Sequence, residues 1–178
     1  MASPRVQMIA IVVMRVLIGW HFLYEGLSKL TTEGWSAQGF LLQARGPFAG
    51  LYRWMASSPD VLSTVNQLNM WGLTAVGLGL ILGCFTRVAS AAGLLLILLF
   101  YFCNPPFVGY FYSIPTEGSY LVVNKNLVEA AALAVVMVTD SGRFAGVDRL
   151  IDSLRGRRLR ARPAGAADAR TALPQDAA

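Results

Sequence analysis

The sequence predicts an all-α integral membrane protein: a four-helix bundle with a short amphipathic interfacial helix in its first outward loop. Three observations predict it. Of the 178 residues, 55% are hydrophobic and only 14% are charged, against about a quarter charged in an average soluble domain. The mean hydropathy is +0.52. Four apolar stretches approach the roughly 20 residues that a helix needs to cross roughly 30 Å of hydrocarbon. The runs are continuous rather than alternating in polarity, which selects helices over barrel strands.

The first stretch runs from about Val6 to Leu30. Arg5 and the apolar run behind it have the look of a secretory signal. Arg15 interrupts that run, however, and no small-residue cleavage pattern follows, so the segment reads as an uncleaved span. The second stretch runs from about Gln67 to Phe85, the third from Val88 to Phe102 and the fourth from Leu121 to Thr139. The third is the shortest, and Arg87 and Tyr101 are placed to anchor its ends at the interface. Between the first two spans, Phe48, Leu51, Tyr52 and Met55 have helical spacing behind Pro47, a residue suited to the first helical position. A short helix lying on the outer surface is expected there. The other outward loop contains "YFCNPPFVGYFYSIPTEGSY". It reads as an aromatic belt with a rigid turn, or as part of a lid over a pocket.

This divides the chain into a membrane domain, 1–154, and a basic tail, 155–178, expected to be disordered and to meet anionic lipid headgroups. Eight of the 15 basic residues follow Thr139, seven of them from Arg149 onward. With Arg5 and Arg87, they put both termini on the cytoplasmic side of four spans. The pI of about 9.6 is therefore a topology signal, and nucleic acid is not an expected partner. Cys84 and Cys103 form no CxxC and fall on opposite faces of the membrane, and His21 is the sole histidine. No metal site and no haem ligand set is evident, since one histidine permits at most a His/Met pair.

The informative stretch is "GWHFLYEGLSKL". A helix turns about 100° per residue, so His21, Glu25 and Lys29 occupy a band roughly 80° wide, and Arg15 falls about 40° beyond Lys29. Gly19 and Gly26 border the band and let a second backbone approach. The entry to the second span carries Asn66, Asn69 and Trp71, and the fourth carries Asn126 and Glu129 three residues apart. Because alternate spans run in opposite directions, these groups converge in the outer half of the bundle. Each central charge costs roughly 2.5–3.5 kcal/mol in hydrocarbon. Arg15, Glu25 and Glu129 would together cost about 7–10 kcal/mol without partners. Pairing Arg15 with Glu129 or Glu25 would recover much of that. Two readings stand: an ion-pair network that only holds the bundle together, and a polar ligand cavity.

Several motifs carry a family resemblance. "MRVLIGWHFLYEGLSKL" resembles the first-span signature of the DoxX/DoxD membrane proteins. "GLGLILGCFTRVASAAGLLL" resembles their second hairpin, with Gly83, Thr86 and Arg87 in its tight turn, and "NKNLVEAAALAVV" with "SGRFAGVDRLI" resembles their last span and closing Gly-x-Asp. The similarity extends from about Met14 to Ile151. It implies a multi-pass protein of the bacterial cytoplasmic (inner) membrane, associated with redox chemistry, as in the DoxD subunit of thiosulfate:quinone oxidoreductase. DoxD works with a second subunit, DoxA. No DoxA-like domain is expected here, nor thiosulfate oxidation by this chain alone.

The leading expectation is thus an oxidoreductase subunit that binds a quinone or quinol. His21, Glu25 and Glu129 are the candidate proton-transfer groups. Arg15, Tyr24, Lys29, Asn66, Asn69, Trp71 and Asn126 are the candidate ligand-binding groups, with Trp20, Tyr24, Trp71 and Tyr101 flanking the ring. No flavin or dinucleotide fingerprint is present, so another subunit or a bound cofactor must carry electrons. Membrane lipids and either a second copy or a partner oxidoreductase subunit are the expected partners. The alternatives are a non-enzymatic membrane anchor or assembly factor for a soluble oxidoreductase, and a small-solute or proton transporter.

Overall fold

The computed structural model describes residues 3–107, 109–110 and 121–160, with side chains up to Leu154. The described residues form helices and no β-strand. Helix α1 spans Pro4–Thr31, α2 Gln38–Leu42, α3 Ala49–Ser57, α4 Pro59–Leu82, α5 Thr86–Cys103, α6 Lys125–Val138, α7 Ser141–Phe144 and α8 Val147–Arg160. Three of them, α1, α4 and α5, are long and apolar enough to cross a membrane. Their outward faces remain apolar. On α1 the exposed residues Val6, Ile9, Val13, Leu17, Trp20, Tyr24 and Leu27 recur every three or four positions and make one continuous stripe. Such a stripe suits lipid and is poorly matched to water.

Two boundaries differ from the expectation. Helix α4 begins at Pro59 rather than near Gln67, since proline suits the first helical turn and Asp60 complements its dipole. Helix α6 begins only at Lys125, because the Asn124 side chain caps it by accepting from the Leu127 amide at 3.1 Å. At 14 residues it rises roughly 21 Å, short of a full hydrocarbon thickness.

Helices α1 and α4 form the most extensive pairing, and α5 packs against α6. Small residues set the first of these distances. A Cβ on Gly77 would lie 2.7 Å from the Leu23 Cα and 2.8 Å from the Gly19 carbonyl oxygen, and one on Gly26 would overlap Thr74. The backbones touch there, as interfaces between membrane helices require. Gly83 acts differently: it ends α4 in a left-handed conformation, φ 63°, and starts the turn into α5. Phe22, Leu80, Leu133 and Val136 fill the middle of the bundle and are almost wholly buried.

At one end, α2 and α3 pack together against α4 and the C-terminal end of α5. Their inner face, Leu41, Ala44, Tyr52 and Ala56, packs with Cys103. The Tyr52 hydroxyl donates to the Leu99 carbonyl at 2.9 Å, and its burial raises its pKa above the ordinary phenol value. Phe48, Leu51 and Trp54 face outward while Tyr52 is buried, so a short helix is present where one was expected. It starts at Ala49, however, because Pro47 and Phe48 form the preceding turn. At the other end sit Cys84, α7 and α8. Asp148 ties them together. Its carboxylate accepts from the Phe85 and Thr86 amides at 2.8 and 3.0 Å, and its own amide donates to the Gly83 carbonyl at 2.9 Å. Helix α8 continues to Arg160, six residues into the stretch expected to be disordered. The rest of that tail, 161–178, and most of the second outward loop, 108 and 111–120, lie outside the described residues.

Candidate functional site

A cavity of about 540 Å³ opens beneath α2. Helix α1 contributes His21, Glu25 and Lys29 to its wall, α4 contributes Asn69, and α6 contributes Lys125 and Asn126. All but Lys125 are among the groups that helical periodicity places on converging ridges, whereas Glu129 is not part of the wall. The apolar wall is Phe22, Leu73, Ile97, Phe40 and Phe100, with Trp35 at the loop that enters α2. Polar groups from three helices thus face aromatic rings across a space large enough for a small organic molecule.

His21 and Glu129 are joined. The Nδ1 of His21 lies 2.8 Å from Oε1 of Glu129, a link between α1 and α6. The Glu129 side chain is mostly buried, whereas that of His21 is about two-fifths exposed toward the cavity and its mouth. The imidazole therefore faces the ligand space, while the carboxylate orients it from behind. One turn along α1, Glu25 forms an ion pair with Lys29, and the Lys29 ammonium lies 5.7 Å from the Trp35 ring centroid. The Oδ1 of Asn69 is buried and has no hydrogen-bond partner among the described residues. A buried acceptor without a donor is costly, and a hydroxyl in the cavity would satisfy it.

Other expected residues are placed elsewhere. Arg15 is buried, but about 9 Å further along α1 than His21. Its Nη2 donates to the Ala145 carbonyl at 2.7 Å, and its guanidinium packs on Gly83 beside Asp148. The expected pairing with Glu25 or Glu129 is not formed: the angular position on α1 is right, but the height is wrong. Arg15 fastens α1 to the α7–α8 end. Tyr24 and Trp71 are 62% and 60% exposed and belong to the outer surface, as does Trp20. Each is turned by 60° or more from the cavity-lining polar residue nearest to it in angle on its helix, His21 for Trp20 and Tyr24 and Asn69 for Trp71. Tyr101 is buried, and its hydroxyl donates to the Val122 carbonyl at 2.8 Å. Asn66 does not line the cavity. It accepts from the Ala37 amide at 2.9 Å and so positions the loop that enters α2.

Trp35, Phe40, Gln43 and Phe100 complete the wall and were not singled out from sequence. The observation that α2 folds inward depends on Asn66 and Cys103, 29 and 63 residues away from their partners Ala37 and Phe40.

At the opposite end the Asp148 carboxyl is outside the spans. Burial raises its pKa, but the Thr86 and Phe85 amides and the Arg15 charge outweigh this and hold it below the ordinary aspartate value.

Apolar outward faces, close glycine contacts and a polar cavity walled by several helices define a helical membrane protein with a ligand-sized chamber. The DoxX family model matches residues 10–104, just over half of the chain, and the chain belongs to the DoxX family. The match covers α1 to α5, so the α6 residues of the cavity and the α7–α8 closure lie beyond it. No curated protein and no solved structure gives a significant match.

Proposed function

We propose that this DoxX-family protein binds a quinone or quinol in the cavity beneath α2, as the membrane subunit of a quinone-linked oxidoreductase. One observation carries the reading: His21, held from behind by Glu129, sits on the wall of a chamber that also holds Asn69, Asn126 and an aromatic lining. The unpartnered Asn69 Oδ1 supports a hydroxyl-bearing ligand, which is a feature of a quinol. Such a molecule would supply two-electron, two-proton redox chemistry. The chain's own part is to hold and move protons. Glu129 fixes the imidazole tautomer, His21 exchanges a proton with the ligand oxygen, and the Glu25–Lys29 ion pair lines the chamber one turn further along α1. Asn126 and Lys125 present donors to a second oxygen. Phe40, Phe100 and Trp35 enclose the ring.

The topology proposed with this function has α6 as a fourth span, both termini cytoplasmic and a bacterial inner-membrane setting. The cavity then opens away from the cytoplasm. Leu80, Leu133 and Val136 pack the middle of the bundle without exposure, which favours a binding site over a transport path. Titration of the purified protein with ubiquinone and menaquinone analogues, followed by tryptophan quenching, tests the reading. Saturable binding that weakens in the Glu25→Gln/Glu129→Gln double variant is expected. Absence of binding to either analogue overturns it.

A further inference from the structure

Helix α8 contributes no residue to the cavity. Its start is fixed in height. Asp148 is bonded to Gly83, Phe85 and Thr86, the turn where α4 ends and α5 begins. That turn joins two helices long and apolar enough to cross a membrane, so α8 begins at one end of the bundle. Two of its apolar side chains, Leu150 and Leu154, stand four residues apart and are 63% and 58% exposed, whereas Val147 and Ile151 turn partly inward. Phe85 and Val88, at the same end, are exposed as well.

Charge decides what covers this face. From Val147 to Arg160 the sequence holds five arginines, Arg149, Arg155, Arg157, Arg158 and Arg160, against Asp148 and Asp152. Both carboxylates have partners within the protein: Asp148 holds the α5 amides, and Asp152 pairs with Arg143 at 2.8 Å. The small cavity beside the helix, lined by Arg87 and Arg143 but also by Asp140, Asp148 and Asp152, is not suited to an anion. The excess of arginine at this end lies in the α8 sequence.

We infer that α8 lies flat on the bilayer and binds anionic lipid headgroups, with Leu150 and Leu154 entering the acyl boundary and the arginines pairing with phosphates. A helix with leucines on one side and an excess of arginine at headgroup height has both attractions that interfacial helices use. The occupant is the anionic leaflet rather than a soluble acidic protein, because the exposed leucines are held at the membrane by the Asp148 anchor.

Hydrogen exchange on the full-length protein tests this. It is reconstituted in nanodiscs of phosphatidylcholine alone or with phosphatidylglycerol. The 147–160 amides should exchange on the order of tenfold more slowly in the anionic discs. The gain should vanish in an Arg155→Gln/Arg157→Gln/Arg158→Gln/Arg160→Gln variant, while α4 and α5 exchange alike in every sample. Equal α8 exchange in the two discs, as a soluble partner surface would give, overturns the inference. So does protection that survives the arginine substitutions.

Discussion

The Nδ1 of His21 and the Oε1 of Glu129, 108 residues apart in sequence, meet at 2.8 Å across α1 and α6. This bond couples the helix of the DoxX match that carries the polar ridge to a helix beyond that match. It also fixes which face of the imidazole is left for a ligand.

The first prediction concerns that bond. Hydrogen bonds to charged groups contribute about 1.5–3 kcal/mol. Glu129→Gln keeps the size but removes the carboxylate, so quinol-analogue affinity should fall by roughly tenfold or more. Glu129→Ala should also lower the melting temperature in detergent, since His21 then loses its partner. Calorimetric titration and thermal unfolding of both variants provide the check.

The ring-binding surface is the second. Trp35→Ala and Phe100→Ala remove the cavity's aromatic wall and should each weaken ligand binding by roughly fivefold to tenfold, about 1–1.5 kcal/mol. Tyr24→Leu and Trp71→Leu alter only the outward face and should leave the same titration unchanged. The reverse ranking would place the ligand on the lipid-facing side.

Much of this was legible in the sequence, and its failures have a common cause. The helical class, the spans α1 and α5, the close backbone approach at Gly19 and Gly26, and the convergence of His21, Glu25, Lys29, Asn69 and Asn126 follow from periodicity and continuous apolar runs. These are local regularities of one helix at a time. Arg15 was misplaced because angle alone does not fix height, and its partner Ala145 comes from 130 residues away. Tyr24 and Trp71 lie outside the cavity because they sit 60° or more around their helices from His21 and Asn69, which line it. The inward fold of α2, and with it Trp35 and Phe40, depends on long-range contacts that no local pattern encodes.

Helix contact distance gives a third prediction. Gly77→Ala drives a Cβ into the Leu23 backbone and should cost about 1–3 kcal/mol by forcing α1 and α4 apart. At Gly72 the nearest atom to a new Cβ is the Leu96 Cδ1 at 3.7 Å, ordinary contact. Gly72→Ala should therefore be neutral or stabilising by up to about 1 kcal/mol. Paired unfolding curves in one detergent separate the two.

The fourth prediction follows from Asp148, whose carboxyl is held below its ordinary value. A lowered folded-state pKa means that the stabilisation is complete above the unfolded value, about 3.9, and is lost as pH falls through the folded one. Asp148→Asn should lower stability at neutral pH by about 1–2 kcal/mol, the magnitude of a lost cap. The wild-type advantage should shrink below about pH 4. A difference that stays constant from neutral to acidic pH would show that the carboxylate charge is not what holds the α5 terminus.

The central claim, a quinol chamber beneath α2, is tested most directly by photolabelling with an azidoquinone and mapping the modified residues by mass spectrometry. Label concentrated on Trp35, Phe40 and Phe100, and competed away by unlabelled quinol, is the predicted result. Label confined to Trp20, Tyr24 and Trp71 on the outer faces, or label insensitive to competition, would contradict it.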